Sequence, residues 1–75
     1  MRSDLVQILS RVFNVAPDTI DEGASPDSIK AWDSLGHLEL IAALESRFDR
    51  RFQLREIQAM DSLAAIENVL GVHQT

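Results

Sequence analysis

The sequence predicts an all-α fold, a small bundle of three main helices and one short helix, with a long loop between the first two. Apolar residues recur at helical spacing in several segments, and no segment alternates apolar and polar residues as a strand would. The 75 residues, 45% hydrophobic and 25% charged, are typical of one folded domain spanning residues 1–75. A chain this short buries only about 60% of its unfolded surface, which favours a binding or display module over an enzyme.

The first helix is predicted from Ser3 to Asn14, with Ser3 as its N-cap and one apolar stripe facing the core. Residues 15–33 then form a long connection punctuated by proline and glycine, with a short helical turn predicted at Pro26. Loops of this length inside a compact domain are often functional. Four apolar side chains are spaced to hold this loop against the core: Val15, Ile20, Ile29 and Trp32.

The second helix is predicted from Ser34 to Phe48, and its apolar residues fall on two sides. The side predicted to face the core carries Leu40, Ile41, Leu44 and Phe48. The second side, flanked by Glu39 and Glu45, carries Leu35, Leu38 and Ala42. A surface helix needs only one apolar stripe. The second group therefore indicates either a docking surface or the wide burial of a central helix.

A short third helix or a turn is predicted within residues 54–60, after Phe52, which is expected to anchor in the core. Its inward-facing side chains are predicted to be Leu54, Ile57 and Met60. The last helix is predicted from Ser62 to Leu70, with Asp61 as its N-cap. Gly71 is expected to end this helix, and a frayed tail is expected after it.

The net charge of −5 is concentrated in one segment. Between Ala16 and Glu39 the chain has six acids and one base, whereas the rest contains equal numbers of both. The acids are Asp18, Asp21, Glu22, Asp27, Asp33 and Glu39. Clustered acids repel nucleic acid and attract basic protein surfaces, although a solvated acidic loop has the same composition.

Several classes of function are disfavoured by what the chain lacks. It has no cysteine, which excludes disulfides, a thiol nucleophile and thiolate metal sites. The N-terminal segment resembles neither a signal peptide nor a membrane span, and the two histidines lack metal-ligand spacing. Ser34 and His37 are close enough on a helix to interact, but no orienting acid or oxyanion hole accompanies them. A cytoplasmic monomer without a metal site or a catalytic centre is expected.

The tripeptide Asp-Ser-Leu occurs twice, at Asp33 and at Asp61, each time where a helix is predicted to begin. Ser34 follows the acidic loop, lies beside the second apolar group, and is followed by Gly36, which is expected to leave access open. A phosphate esterified there would meet unpaired N–H groups and the positive end of the helix dipole. The alternative is that Asp33 or Ser34 only caps the helix. Ser62 follows no acidic loop and lies beside no second apolar group, so it is expected to serve only the helix start.

The segment "DSLGHLELIAALESRF", residues 33–48, resembles the attachment motif and second helix of acyl and peptidyl carrier proteins. The similarity of layout extends over nearly the whole chain. The resemblance implies that Ser34, within the motif Asp33-Ser34-Leu35, receives 4′-phosphopantetheine from coenzyme A through a Mg²⁺-dependent phosphopantetheinyl transferase. The thiol of this arm would hold acyl or aminoacyl groups as thioesters, and the protein itself would not be an enzyme.

The resemblance also implies partners, namely acyl- or aminoacyl-activating and acyl-transfer enzymes with basic docking surfaces. The side chains expected to meet them are Leu35, Leu38, Glu39, Ala42 and Glu45. The chain departs from fatty-acid carriers at Ala31, where a glycine is usual, and at Gly36, Ser46 and Arg47, where acids are usual. These departures favour a dedicated carrier, for example in polyketide or nonribosomal peptide biosynthesis, over general fatty-acid synthesis.

Two further readings stay open from the sequence. The chain could be an unmodified acidic helical interaction module, that is, a degenerate carrier or an adaptor. Trp32 and His37, which flank the motif, are candidates to contact the arm or its cargo, with ordinary packing as the alternative.

Overall fold

The predicted helical fold is confirmed by a computed structural model that describes residues 2–21 and 23–71. The four α-helices are α1 (Arg2–Phe13), α2 (Ser34–Phe48), α3 (Leu54–Ala59) and α4 (Leu63–Leu70). A 3-10 helix, Pro17–Thr19, lies in the loop between α1 and α2, and the described residues contain no strand. The predicted tail, residues 72–75, lies outside the described residues. Within the described part of the chain, no helix has the length and apolarity needed to cross a bilayer.

Helix α1 begins and ends one residue earlier than the sequence suggested. It already includes Arg2, so Ser3 lies inside the helix and the prediction that Ser3 is the N-cap is wrong. At the other end Asn14 has φ of 56°, the left-handed conformation that terminates a helix. The apolar stripe is confirmed, because Leu5 and Leu9 are almost fully buried and Phe13 is buried beside them.

Helices α1 and α2 pack antiparallel, as two contacts at opposite ends show. Phe13, the last residue of α1, lies against Gly36 in the first turn of α2. Asp4, near the start of α1, forms an ion pair of 3.1 Å with Arg47 near the end of α2. This arrangement brings the last turn of α1 and the first turn of α2 together at one end of the bundle.

The long loop packs tightly against the bundle. The predicted anchors Ile20, Ile29 and Trp32 are buried, Val15 is half-buried, and Ala24 is also buried. The carbonyl of Ala24 accepts a hydrogen bond of 3.0 Å from the N–H of Leu63, the first residue of α4. The loop is therefore held by apolar burial and by a backbone hydrogen bond to the last helix.

Helix α3 meets the core only with its C-terminal end. Met60 is fully buried and Ile57 is half-buried, but Leu54 is 69% exposed, so the prediction that Leu54 faces inward is wrong. Phe52 is buried, as predicted, and takes the core position before the helix begins. Leu54, as the first residue of a six-residue helix, lies beyond the edge of that core.

Candidate functional site

The two Asp-Ser-Leu tripeptides start their helices in different registers. Helix α2 begins at Ser34, and the Asp33 carboxylate caps it by accepting a hydrogen bond of 2.8 Å from the N–H of Gly36. Helix α4 begins one residue later in its tripeptide, and Ser62 Oγ is the cap, accepting from the Ala65 N–H at 3.0 Å. The prediction that Asp61 caps α4 is therefore wrong. The N–H of Leu63, the first helical residue, donates to the loop carbonyl of Ala24.

This difference in register leaves the Ser34 hydroxyl unused by the fold. Ser34 is exposed, and within the described part of the chain its Oγ has no hydrogen-bond partner. The backbone N–H groups of Ser34 and Leu35 are likewise unpaired among these residues, as expected for the first turn of a helix. Ser62, in contrast, is half-buried and its hydroxyl already serves the α4 N-terminus.

An open cavity of about 440 Å³ lies beside Ser34. It is lined by Pro26, Trp32, Asp33, Ser34, His37, Gln58 and Asp61. Because Ser62 is the cap of α4, the Asp61 carboxylate is free to face this cavity. The sequence pattern did not point to Pro26, Gln58 or Asp61, since only the folding of the loop and of α3 against α2 brings them together. The cavity thus places the Ser34 hydroxyl beside Trp32 and several polar side chains.

Trp32 and His37 connect three elements at the floor of this cavity. Trp32 Nε1 donates a hydrogen bond of 2.9 Å to His37 Nδ1, so the ring proton of His37 is on Nε2. That nitrogen donates to the carbonyl of Ile57 in α3 at 2.7 Å. Trp32 is only 2% exposed and stacks on Phe13, with ring centroids 5.3 Å apart. Both residues therefore pack structurally and also border the candidate site.

Replacing Trp32 with phenylalanine is expected to lower the free energy of unfolding by about 1–3 kcal/mol. The substitution removes the indole N–H and leaves His37 Nδ1 without its donor in a half-buried position. Urea unfolding of Trp32→Phe, His37→Phe and the double variant measures the effect. Because the two side chains contact one another, a coupling energy of at least about 0.5 kcal/mol is expected. Additive losses would contradict the hydrogen bond.

The sequence suggested that Gly36 keeps access to Ser34 open. In the structure, the missing side chain of Gly36 serves packing instead. It is buried, and a Cβ atom at this position would lie 2.1 Å from the carbonyl oxygen of Ala31 and 3.1 Å from Phe13 Cε1. The end of the loop can approach α2 this closely only because residue 36 has no side chain. The absence of an acid two residues after Ser34 therefore follows from loop packing, since no side chain fits there.

The predicted partner surface lies on the solvent side of α2. Leu35 and Leu38 are 67% and 61% exposed, and Glu39 and Ala42 are exposed beside them. Glu45 is half-buried, and its Oε2 accepts a hydrogen bond of 3.0 Å from the N–H of Phe52. Four of the five residues are thus fully available to a partner, while Glu45 also holds the turn after α2.

The described acids of the segment 16–39 are all exposed. They are Asp18, Asp21, Asp27, Asp33 and Glu39. None of them forms an ion pair within the described residues, so their negative charge faces solvent around the Ser34 end of the bundle. Among all residues that the structure describes, no group of three or more histidine or acidic side chains is arranged to hold a metal ion.

No protein-family model matches this sequence, and no curated protein matches it significantly. Among solved structures, one described as "a putative acyl carrier protein" from Mycobacterium tuberculosis is similar to this chain, with a TM-score of 0.77. The two chains are 19% identical, and the match covers 97% of this chain and 99% of that chain. The similarity shows a shared fold, so this chain forms a small helical bundle of the acyl-carrier type.

Proposed function

We propose that this protein is a carrier that bears 4′-phosphopantetheine on Ser34 and holds acyl or aminoacyl groups for partner enzymes. The observation that carries the proposal is the free, exposed hydroxyl of Ser34 at the first residue of α2. Its counterpart Ser62 is bonded to its own helix. The shared fold and the resemblance of residues 33–48 to a carrier attachment motif support the same function.

The residues around Ser34 fit an attached phosphodiester. In the proposed transfer, Ser34 Oγ bonds to the pantetheine-bearing phosphorus of coenzyme A, 3′,5′-adenosine diphosphate leaves, and the hydroxyl proton is released to the transferase. The unpaired N–H groups of Ser34 and Leu35 can then donate to the phosphate oxygens. Asp33 keeps the first turn fixed through its bond to Gly36. When bound, the group supplies the thiol that the cysteine-free chain lacks.

The same geometry argues against a serine hydrolase. Both ring nitrogens of His37 are engaged, Nδ1 by Trp32 and Nε2 by the Ile57 carbonyl. Neither nitrogen is left to accept a proton from Ser34, which a general base would have to do. The proposed protein therefore presents its cargo and leaves the chemistry to partner enzymes.

The partner enzymes are proposed to dock on the exposed side of α2. Leu35, Leu38 and Ala42 would enter an apolar depression on the partner, and Glu39 would face a basic rim. The later turns of α2 add no free acid to this face, since Ser46 is uncharged and Glu45 is bonded to the Phe52 N–H. This largely apolar face fits a dedicated carrier better than a general fatty-acid carrier.

Intact-mass measurement tests the proposed function. The purified chain is incubated with coenzyme A, Mg²⁺ and a broad-specificity phosphopantetheinyl transferase. We expect a mass increase of one phosphopantetheinyl group, and fragmentation should place it on the peptide containing Ser34. No mass increase would contradict the proposal and favour an unmodified interaction module, and an increase on another residue would contradict the assignment to Ser34.

A further inference from the structure

A further exposed leucine, distant in sequence from the attachment motif, has several arginines near it in the sequence. Leu54, the first residue of α3, is 69% exposed, the largest exposure among the three exposed leucines of the described chain. Residues 47–55 contain four arginines and one acid, whereas the segment 16–39 has the opposite balance. We call Arg51, Leu54 and Arg55 the α3 patch.

The two arginines of the α3 patch form no ion pair with the described residues of the chain. Arg50 pairs with Glu56 at 3.3 Å and lies 4.8 Å above the ring centroid of Phe52. Arg51 and Arg55 are both exposed, and neither has an ion-pair partner among the described residues. Their charges are therefore free to meet groups outside the chain.

The α3 patch is also not explained by the stability of α3. A positive side chain in the first turn opposes the helix dipole, so Arg55 is unfavourably placed for the helix that contains it. The start of the helix is already held by the N–H of Gln53, which donates to the Glu56 side chain, and by the N–H of Glu56, which donates to the Gln53 carbonyl. Positions at which a sequence departs from local preference are frequently functional.

We propose that the α3 patch is a second docking surface and that its partner is an acidic protein segment carrying apolar side chains. Leu54 would enter an apolar depression, and Arg51 and Arg55 would meet carboxylates around its rim. A basic surface would be repelled here and attracted to the exposed acids around the Ser34 end of the bundle, Asp33 and Glu39 among them. The two faces thus select partners of opposite charge, and this holds whether or not Ser34 is modified.

The test uses the ¹⁵N-labelled full chain and two synthetic amphipathic peptides, one of glutamate and leucine and one of lysine and leucine. The glutamate peptide is expected to shift the amide signals of residues 50–56 and not those of residues 34–42. Arg51→Glu with Arg55→Glu, and separately Leu54→Ser, should each weaken its binding by at least about tenfold. The lysine peptide should shift residues 34–42 instead.

Matched controls separate this surface from general charge attraction. Arg11→Glu changes another exposed arginine without a described ion-pair partner, and Leu35→Ser changes another exposed leucine. Both should bind the glutamate peptide as the parent chain does. Because a negative side chain at position 55 favours the helix dipole, the double arginine variant should keep or raise the thermal unfolding midpoint, which excludes unfolding as the cause of its lost binding. The proposal is overturned if residues 50–56 do not shift, or if the double arginine variant binds normally.

Discussion

Replacing Ser34 with alanine is expected to abolish phosphopantetheinylation completely, whereas replacing Ser62 with alanine should leave it unchanged. The two serines lie in separate copies of the Asp-Ser-Leu tripeptide, but only Ser34 has a free and exposed hydroxyl. Ser62 Oγ is bonded to the Ala65 N–H and lies at the start of a different helix. Intact-mass measurement of both variants, incubated with transferase and coenzyme A, checks this expectation.

Stability measurements should show the reverse pattern. Ser62→Ala removes an N-cap and is expected to cost about 1 kcal/mol in the free energy of unfolding. Ser34→Ala keeps the cap, which is Asp33, and places a stronger helix former at the first helical position. Its stability should be unchanged or slightly higher. A modified Ser34→Ala, or an unmodified but folded Ser62→Ala, would contradict the assignment.

Replacing Gly36 with alanine is expected to destabilise the fold by about 1–3 kcal/mol, despite the better helix propensity of alanine. The new Cβ would lie 2.1 Å from the Ala31 carbonyl oxygen, so either the loop or α2 must move. For a domain whose total stability is of the order of 5 kcal/mol, such a loss is large. Urea unfolding monitored by circular dichroism measures it.

Gly23→Ala is the matched control for this experiment. A Cβ at Gly23 meets only Asp21 Oδ1, at an ordinary contact distance of 3.6 Å. This variant should be as stable as the parent chain, or more stable by up to about 1 kcal/mol, because alanine restricts the unfolded chain. Equal stabilities of the Gly36 and Gly23 variants would show that the loop does not depend on its close approach to α2.

The helices of this fold were predictable because their signals are local. The extent of α2 was predicted correctly, since its apolar period and the Asp33 cap act within a few residues. The start of α4 was not predicted correctly, because aspartate and serine are comparably good N-caps. The choice between Asp61 and Ser62 is visible only in the structure, where Ser62 is the cap and the Leu63 N–H bonds to the Ala24 carbonyl, a residue distant in sequence.

In the candidate site, too, some features have local sequence signals and others depend on how distant segments pack. Ser34 could be singled out from its acidic surroundings and the apolar face of α2, both of which are visible in the sequence. The roles of Gly36 and Asp61 could not be predicted from the sequence, since they depend on where the loop and α3 lie relative to α2. Leu54 was misassigned because helical spacing gives the direction of a side chain but not how far the core extends.

If Ser34 carries an arm as proposed, Trp32 is an intrinsic spectroscopic probe of that loading. It is the single tryptophan of a chain that has no tyrosine, so nearly all near-ultraviolet emission arises from one indole ring. That ring borders the cavity beside Ser34 and is hydrogen-bonded to His37. An arm or cargo entering the cavity would change the surroundings of the indole and therefore its fluorescence emission. Attachment, acylation and enzyme docking could then be followed in real time without a label.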